Sequence, residues 1–277
     1  MTAFEIRAMT PADVDEVGEV TLAGGFGDRR AFFGAIVAMV QCRPLVATLD
    51  GRLIGTALGS IHGDVGWVGV VFVVPELRRQ GIGRALTEAV CDILDGAGCH
   101  SLVLVATELG RPMYERLGFR ERTRYHMFAG DPLAEAPSSP PGASLRPIRP
   151  SDLDAIEAID REATGEQRRP LIEAYASRGW LIEDERLRGF VLPTTRGNGA
   201  LIAQRPEDAV CLLDMHRHLA PQDGRVWAGL PTENEAGIRF LAERGWFEWR
   251  SFPRMLRGPE PSWRPDTIWG QFNHAMG

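Results

Sequence analysis

Val71-Phe72-Val73-Val74-Pro75-Glu76-Leu77-Arg78-Arg79-Gln80-Gly81-Ile82-Gly83-Arg84 reads as an apolar strand, a turn and a basic, glycine-spaced loop that opens directly into a helix. The strand rests on the β-branched and aromatic run Val68 to Val74, and Pro75, lacking a backbone N–H, stops the ladder. From Ile82 onward the apolar residues Ile82, Leu86, Val90, Ile93 and Leu94 recur at three- and four-residue spacing, which predicts a helix with one buried stripe. Arg78 to Gly83 therefore lies at a helix N-terminus, where unpaired N–H groups and the positive end of the dipole favour an anion. Gly81 and Gly83 carry no Cβ, so phosphate oxygens can approach the main chain, and the arginines add charge from the flanks. The loop lacks the G-x-G-x-x-G dinucleotide fingerprint, and it has no G-K-[ST], which disfavours nucleoside triphosphate hydrolysis.

The chain has 277 residues, more than one core usually serves, so two domains are expected. Its 44% hydrophobic and 25% charged residues are ordinary for a soluble globular protein. No apolar stretch approaches the roughly 20 residues that span a bilayer, and Met1 to Arg7 lacks the basic start and apolar middle of a signal peptide. The reading is a cytoplasmic protein with no membrane partner. Cys42, Cys91, Cys99 and Cys211 include no C-x-x-C pair, and most sit in apolar surroundings typical of reduced core thiols. His216 and His218 are two apart and point to different helix faces, so no metal is assigned. The net charge of -6 argues against nucleic acid as a partner and suits a small cationic amine. A homodimer is allowed by the sequence but not specified by it.

Residues 131–144 are rich in proline and serine, without periodicity, and read as a linker between a unit at 1–130 and a second at 145–258, with a tail over 259–277. Ile6 to Val17 aligns without a gap on Leu145 to Ile156, each a short strand running into a helix. In the first copy Thr10, Pro11 and Asp13 stand at N-cap, N1 and N3. Tyr114-Glu115-Arg116-Leu117-Gly118-Phe119 likewise matches Leu241-Ala242-Glu243-Arg244-Gly245-Trp246, so the chain reads as an internal duplication. Within the first unit the pattern predicts strands at 45–49, 53–61 and 66–74, a helix at 82–96, a strand at 101–106, a helix at 110–117 and a last strand near 119–128. Asp50-Gly51 between two apolar runs signals a hairpin. The fold class is α/β, a mixed sheet flanked by helices. Trp263 and Trp269 in the tail are expected to pack back on the body.

The spacing of Arg78, Gly81 and Gly83 resembles the Q/R-x-x-G-x-G/A acyl-CoA loop of the GNAT acetyltransferase superfamily. Leu102 to Ala106 looks like the next strand, and Met113-Tyr114-Glu115-Arg116-Leu117-Gly118-Phe119 is similar to the family's L-Y-x-x-L-G-F signature. The resemblance covers about residues 4–128 strongly and 145–258 faintly, and it implies two tandem GNAT-like domains in which central strands splay to admit the cofactor. It further implies acetyl-CoA as co-substrate, with the pyrophosphate on Arg78, Arg79, Gln80, Gly81, Ile82, Gly83 and Arg84 and pantetheine along Val71, Phe72 and Val73. By the same resemblance Tyr114 protonates the departing thiolate, and Thr107, where many relatives carry Asn, touches the pantetheine arm through its hydroxyl.

The second copy reads as degenerate. Its nearest fit to the loop pattern, within Pro193 to Leu201, puts Leu201 where Gly or Ala is needed, and Glu207 and Asp208 in the following helix would repel an anion. Leu241 replaces Tyr114. The second unit is thus expected to bind no acetyl-CoA and to supply surface or substrate walls.

Acyl transfer to an alkylamine, whose pKa is near 10, requires removal of a proton. Val65 to Val74 contains no Asp or Glu, so candidates are His62, Asp64, Glu108 or a group from the second unit, and none is assigned, while Glu76 reads as a surface ion-pair partner. With no recognisable nucleophile, direct transfer is expected. The expected function is N-acetylation of a small-molecule amine bound between the two units. Two alternatives stand beside it: a non-catalytic acetyl-CoA sensor, and acetylation of a protein N-terminus or lysine.

Overall fold

The computed structural model describes residues 4–194, 196–221 and 224–277. The first unit opens with β1 (Glu5–Ala8), α1 (Val14–Ala23), α2 (Arg30–Ile36), β2 (Cys42–Leu49), β3 (Arg52–His62) and β4 (Val65–Val73). It continues through α3 (Ile82–Gly96), β5 (Ser101–Val105), α4 (Arg111–Arg116) and β6 (Arg120–Gly130). The second repeats this order as β7 (Ser144–Pro147), α5 (Leu153–Thr164), α6 (Arg169–Tyr175), β8 (Trp180–Glu183), β9 (Leu187–Pro193) and β10 (Gly199–Ala203). Then follow α7 (Pro206–Leu219), β11 (Val226–Pro231), α8 (Glu235–Glu243), β12 (Phe247–Arg257) and a short β13 (Ile268–Gly270). The hairpin signal resolves into a two-residue turn with Asp50 and Gly51 at φ 49° and 77°, the left-handed pair that matches strand twist.

The duplication is visible atom by atom. Arg7 forks onto Asp13 at 2.8 and 2.7 Å, and Arg146 onto Asp152 at 2.7 and 3.0 Å. Each carboxylate also accepts the N–H three residues earlier, from Thr10 or Arg149, at 2.7 Å. At the far end Phe119 N–H donates to Tyr114 O and Trp246 N–H to Leu241 O, both at 3.1 Å. Gly118 and Gly245 make those turns at φ 89° and 78°, which a side chain would strain.

The two units exchange their last strands. One sheet has eight strands in the order β1-β2-β3-β4-β5-β12-β6-β11, the other five in the order β13-β10-β9-β8-β7. Thus β12 of the second unit pairs with β5 of the first, β6 pairs with β11, and β6 and β12 pair with each other. A strand's alternating pattern says which face is buried but not which edge finds it, so this exchange is not written in the local sequence.

Helix α3 covers one face of the larger sheet with Leu86, Val90 and Leu94. On the other face Val17, Phe33 and Ile36 share a single core with Ile156, Leu171 and Ile172, and Phe272 and Met276 from the tail fill the space between. Trp269 is buried in the second unit, and Trp263 lies 4.3 Å from the Arg254 guanidinium. Far from hanging off the body, the tail adds β13 to the smaller sheet.

Candidate active site

β4 and β5 run parallel but pair only from Val65–Trp67 to Ser101–Val103. Beyond Trp67 they part. The departure coincides with a bulge at Val70, whose φ of 52° is a strained conformation for a β-branched residue. Buried Thr56 holds it by donating its hydroxyl to Val70 O at 2.9 Å. Val74 N–H donates to Ile54 O of β3 at 2.9 Å, so strand alternation turns the Phe72 amide toward β3 and those of Val71 and Val73 toward the gap.

The basic loop closes the wide end of this gap. Arg79 and Gly81 both adopt left-handed φ, 63° and 87°, and no atom lies within 4 Å of where a Gly81 side chain would begin. Alternating hands point successive N–H groups into one concavity. The first helical bond of α3 runs from Ala85 N–H to Gly81 O at 2.9 Å, leaving the amides of Ile82, Gly83 and Arg84 without intrahelical acceptors. Ile82 is buried and anchors the turn, whereas Arg78, Arg79, Gln80, Gly81 and Arg84 are exposed. Arg78 Nε donates to Val73 O at 3.0 Å, tying the loop to the free edge of β4. A Cβ on Gly83 would touch Val71, Val73 and Met113, so these residues and the start of α3 form one narrow wall.

Thr107 follows β5, and Tyr114 stands beside Met113 on α4, packed in the same cluster as Val71 and Val73. Thr107 Oγ1 accepts Gly110 N–H at 3.2 Å ahead of α4, and its own proton is left to donate. The ring of Tyr114 meets Phe119 edge-on with centroids 6.2 Å apart. Gly110 permits its close approach, since a Cβ there would lie 3.1 Å from Tyr114 and 3.4 Å from Thr107 Oγ1. Burial raises the Tyr114 phenol well above its ordinary range, so it stays a proton donor at neutral pH.

The candidate bases fare differently. His62 is fully buried, burial and Arg168 push it down to about 3, and neither ring nitrogen has a side-chain partner. It sits with Asp64 at the closed end of β4, about 20 Å of strand from Val71, so neither reaches the gap. Glu108 is close to Thr107, but Arg124 at 2.7 Å and Arg111 at 4.0 Å hold its carboxyl below the usual range and make it a poor proton acceptor. Sequence reasoning missed His274. It is carried by the tail to the face of the gap opposite α3, with its ring 4.9 Å from Phe252 and Nε2 3.4 Å from Met127 Sδ. Ala275 beside it occupies the place of a Gly69 side chain, so β4 needs glycine there. Burial and Arg29 push His274 down to about 4, leaving a neutral imidazole. No motif surrounds it; only proximity reveals it.

The profile of the Acetyltransferase (GNAT) family matches residues 24–119, and that of an Acetyltransferase (GNAT) domain matches residues 156–270. An N-acetyltransferase of Methanocaldococcus jannaschii without assigned substrate is 37% identical over 129 residues, 42% of this chain and 78% of that protein. The chain belongs to the GNAT acetyltransferase family. A glucosamine 6-phosphate N-acetyltransferase of Trypanosoma brucei brucei is 36% identical over 81 residues, 27% of this GNAT chain and only 55%, about half, of that protein's length. A crystal structure from Pyrococcus horikoshii shares the fold over 100% of this chain and 97% of its own, with TM-score 0.84 at 23% identity.

The second GNAT unit differs from the first in another way than its sequence suggested. Leu201 lies inside β10, not in a loop, and only Gln204 and Arg205 separate that strand from α7. The anion loop is absent altogether rather than blocked by a side chain. Nor does Asp208 face a ligand: it is buried and receives Arg188 Nε and Nη2 at 2.9 and 2.6 Å. On the β10 edge that corresponds to the open edge of β4, β13 pairs Gly270 with Leu201 and Ile268 with Ile202. The chain itself fills the gap. Among the described residues no three or more His, Cys, Asp or Glu side chains gather as a metal-binding group, and no helix is long and apolar enough to cross a membrane.

Proposed function

We propose that this chain transfers an acetyl group from acetyl-CoA to a small-molecule amine held between its two units. The observation that carries the reading is the β4–β5 gap, open at one end onto the alternating-hand loop at Arg78–Gly81. In this reading the amides of Ile82, Gly83 and Arg84 and the flanking arginines hold the pyrophosphate, and the gap-facing groups of Val71 and Val73 pair with pantetheine. Thr107 steadies the pantetheine arm through its hydroxyl.

The amine nitrogen attacks the acetyl carbon, a C–N bond forms, and the C–S bond breaks as the tetrahedral centre collapses. Tyr114 gives its proton to the thiolate, and the amine's surplus proton leaves through water hydrogen-bonded to the neutral imidazole of His274, which accepts the hydrogen bond without holding the proton. The cycle closes when the amine's proton reaches solvent and the Tyr114 phenolate takes one up, so the chain ends with the charge it began with.

Calorimetry with acetyl-CoA, followed by thiol release with a panel of small amines, tests the reading. One site per chain and amine-dependent coenzyme A release are expected. No heat would refute cofactor binding, and heat without release for any small amine would leave a binding module or a protein-directed enzyme in its place.

A further inference from the structure

Two arginines from different units meet beside the gap, and among the described residues no carboxylate pairs with either. Arg29, between α1 and α2, is partly buried, lies 4.7 Å from the Phe26 ring, and donates Nε to Phe26 O at 3.1 Å. Phe26 packs on Phe72 of β4 with ring centroids 5.5 Å apart, which links Arg29 to the gap-lining strand. Arg196, between β9 and β10, reaches across from the second unit and donates Nη1 to Asp28 O at 2.9 Å. The Asp28 carboxylate is committed to Arg30 at 2.7 Å. Among the described residues neither Arg29 nor Arg196 forms an ion pair, and burial together with the charge of Arg196 makes Arg29 easier to deprotonate than an ordinary arginine.

Bringing like charges together while drying one of them is costly unless an anion completes the group. The rest of the surroundings is aromatic: Phe252 meets both His274, at 4.9 Å, and Trp249, at 5.8 Å. Helix α2, which follows Arg29, and the tail that carries His274 pack into one core through Phe33 and Ala275, which puts both on the same side of the sheet.

We propose that the acceptor carries an oxyanion, a carboxylate or a phosphate, remote from its amine, and that Arg29 and Arg196 bind it. The inference rests on the acetyltransferase reading above. It runs against the net charge of -6, which by itself favours cationic acceptors: the cleft is locally positive where the whole chain is negative.

Matched acceptor pairs test it. Glucosamine 6-phosphate against glucosamine reports a phosphate, and 4-aminobutyrate against butylamine reports a carboxylate, each read as kcat/KM for coenzyme A release. At least one anionic member should be preferred by about 10- to 100-fold, the effect of one or two charge-assisted hydrogen bonds. Arg29→Met and Arg196→Met should abolish the preference with acetyl-CoA affinity unchanged, and Arg29→Lys, which keeps the charge, should retain part of it and control for misfolding. Neutral amines used as well as their anionic partners would overturn the proposal, as would a preference that survives both Met variants. So would a chain that binds acetyl-CoA and acetylates neither anionic member. Failure of the wild-type chain to bind acetyl-CoA would instead refute the underlying acetyltransferase reading, and this inference with it.

Discussion

The two copies start and end alike yet differ where a cofactor would enter. In the first, residues 74–81 separate β4 from α3, and the far edge of β4 is left open; in the second, Gln204 and Arg205 alone separate β10 from α7, and β13 occupies the edge. Both keep the Arg–Asp fork at the first helix and the glycine turn at the last, features that stabilise the unit wherever it occurs. A duplicated fold can therefore keep its framework and lose its site by shortening one connection and feeding its own chain into the vacated edge. The helix that remains turns Asp208 of its first turn inward to Arg188, so the place of an anion cradle has become part of the core.

Four experiments break or sharpen that contrast. The largest effect is expected from Gly81→Val, which puts a β-branched side chain at φ 87° in the concavity. Acetyl-CoA affinity should fall about a thousandfold, two or more charge-assisted bonds being lost, whereas Arg205→Ala in the second copy should leave it unchanged; titration calorimetry compares them. Next, Asp208→Ala leaves the buried Arg188 with only the longer contact to Asp184 at 3.5 Å and should cost about 3 kcal/mol in denaturant unfolding. A cost below about 1 kcal/mol, typical of exposed pairs, would mean the pair is not structural.

Third, Tyr114→Phe should lower kcat about a hundredfold with acetyl-CoA affinity nearly intact. Loss of both, or of neither, would deny it the role of acid. The smallest effect concerns the seam between the units, where Glu166 of the second accepts Trp67 Nε1–H of the first at 3.0 Å. Burial pushes Glu166 up from 4.5 to about 7. The folded state then holds a proton that the unfolded state releases, so the contribution of Glu166 to stability is greatest below about pH 4.5 and declines until pH 7. Glu166→Gln should flatten that decline, worth about 1–3 kcal/mol. An unchanged profile of melting temperature against pH would show that Glu166 is ionised in the fold.

Much of the framework was legible because it is local. Helix periodicity placed α3 at Ile82, the Asp50-Gly51 pair placed the hairpin, and matching motifs exposed the duplication. The second copy's defect was misread at Leu201 because a five-residue strand and a glycine-containing loop look alike in an apolar run. His62 and Asp64 looked close to the site in sequence, but a strand's length separates them from it. His274 looked remote, 204 to 201 positions from the strand residues Val70–Val73, yet it lies against β4.

By itself the sequence determined what contiguous residues decide: the repeat, the helix starts, the turn glycines and the loop whose amides converge. Such features depend on backbone conformation within a few residues, so composition and spacing suffice to state them. The exchange of β6 and β12, the insertion of β13, and the meeting of His274, Arg29 and Arg196 beside β4 were decided only by tertiary structure. Edge pairing and side-chain proximity depend on which surfaces bury each other, and no stretch of chain encodes its partner alone.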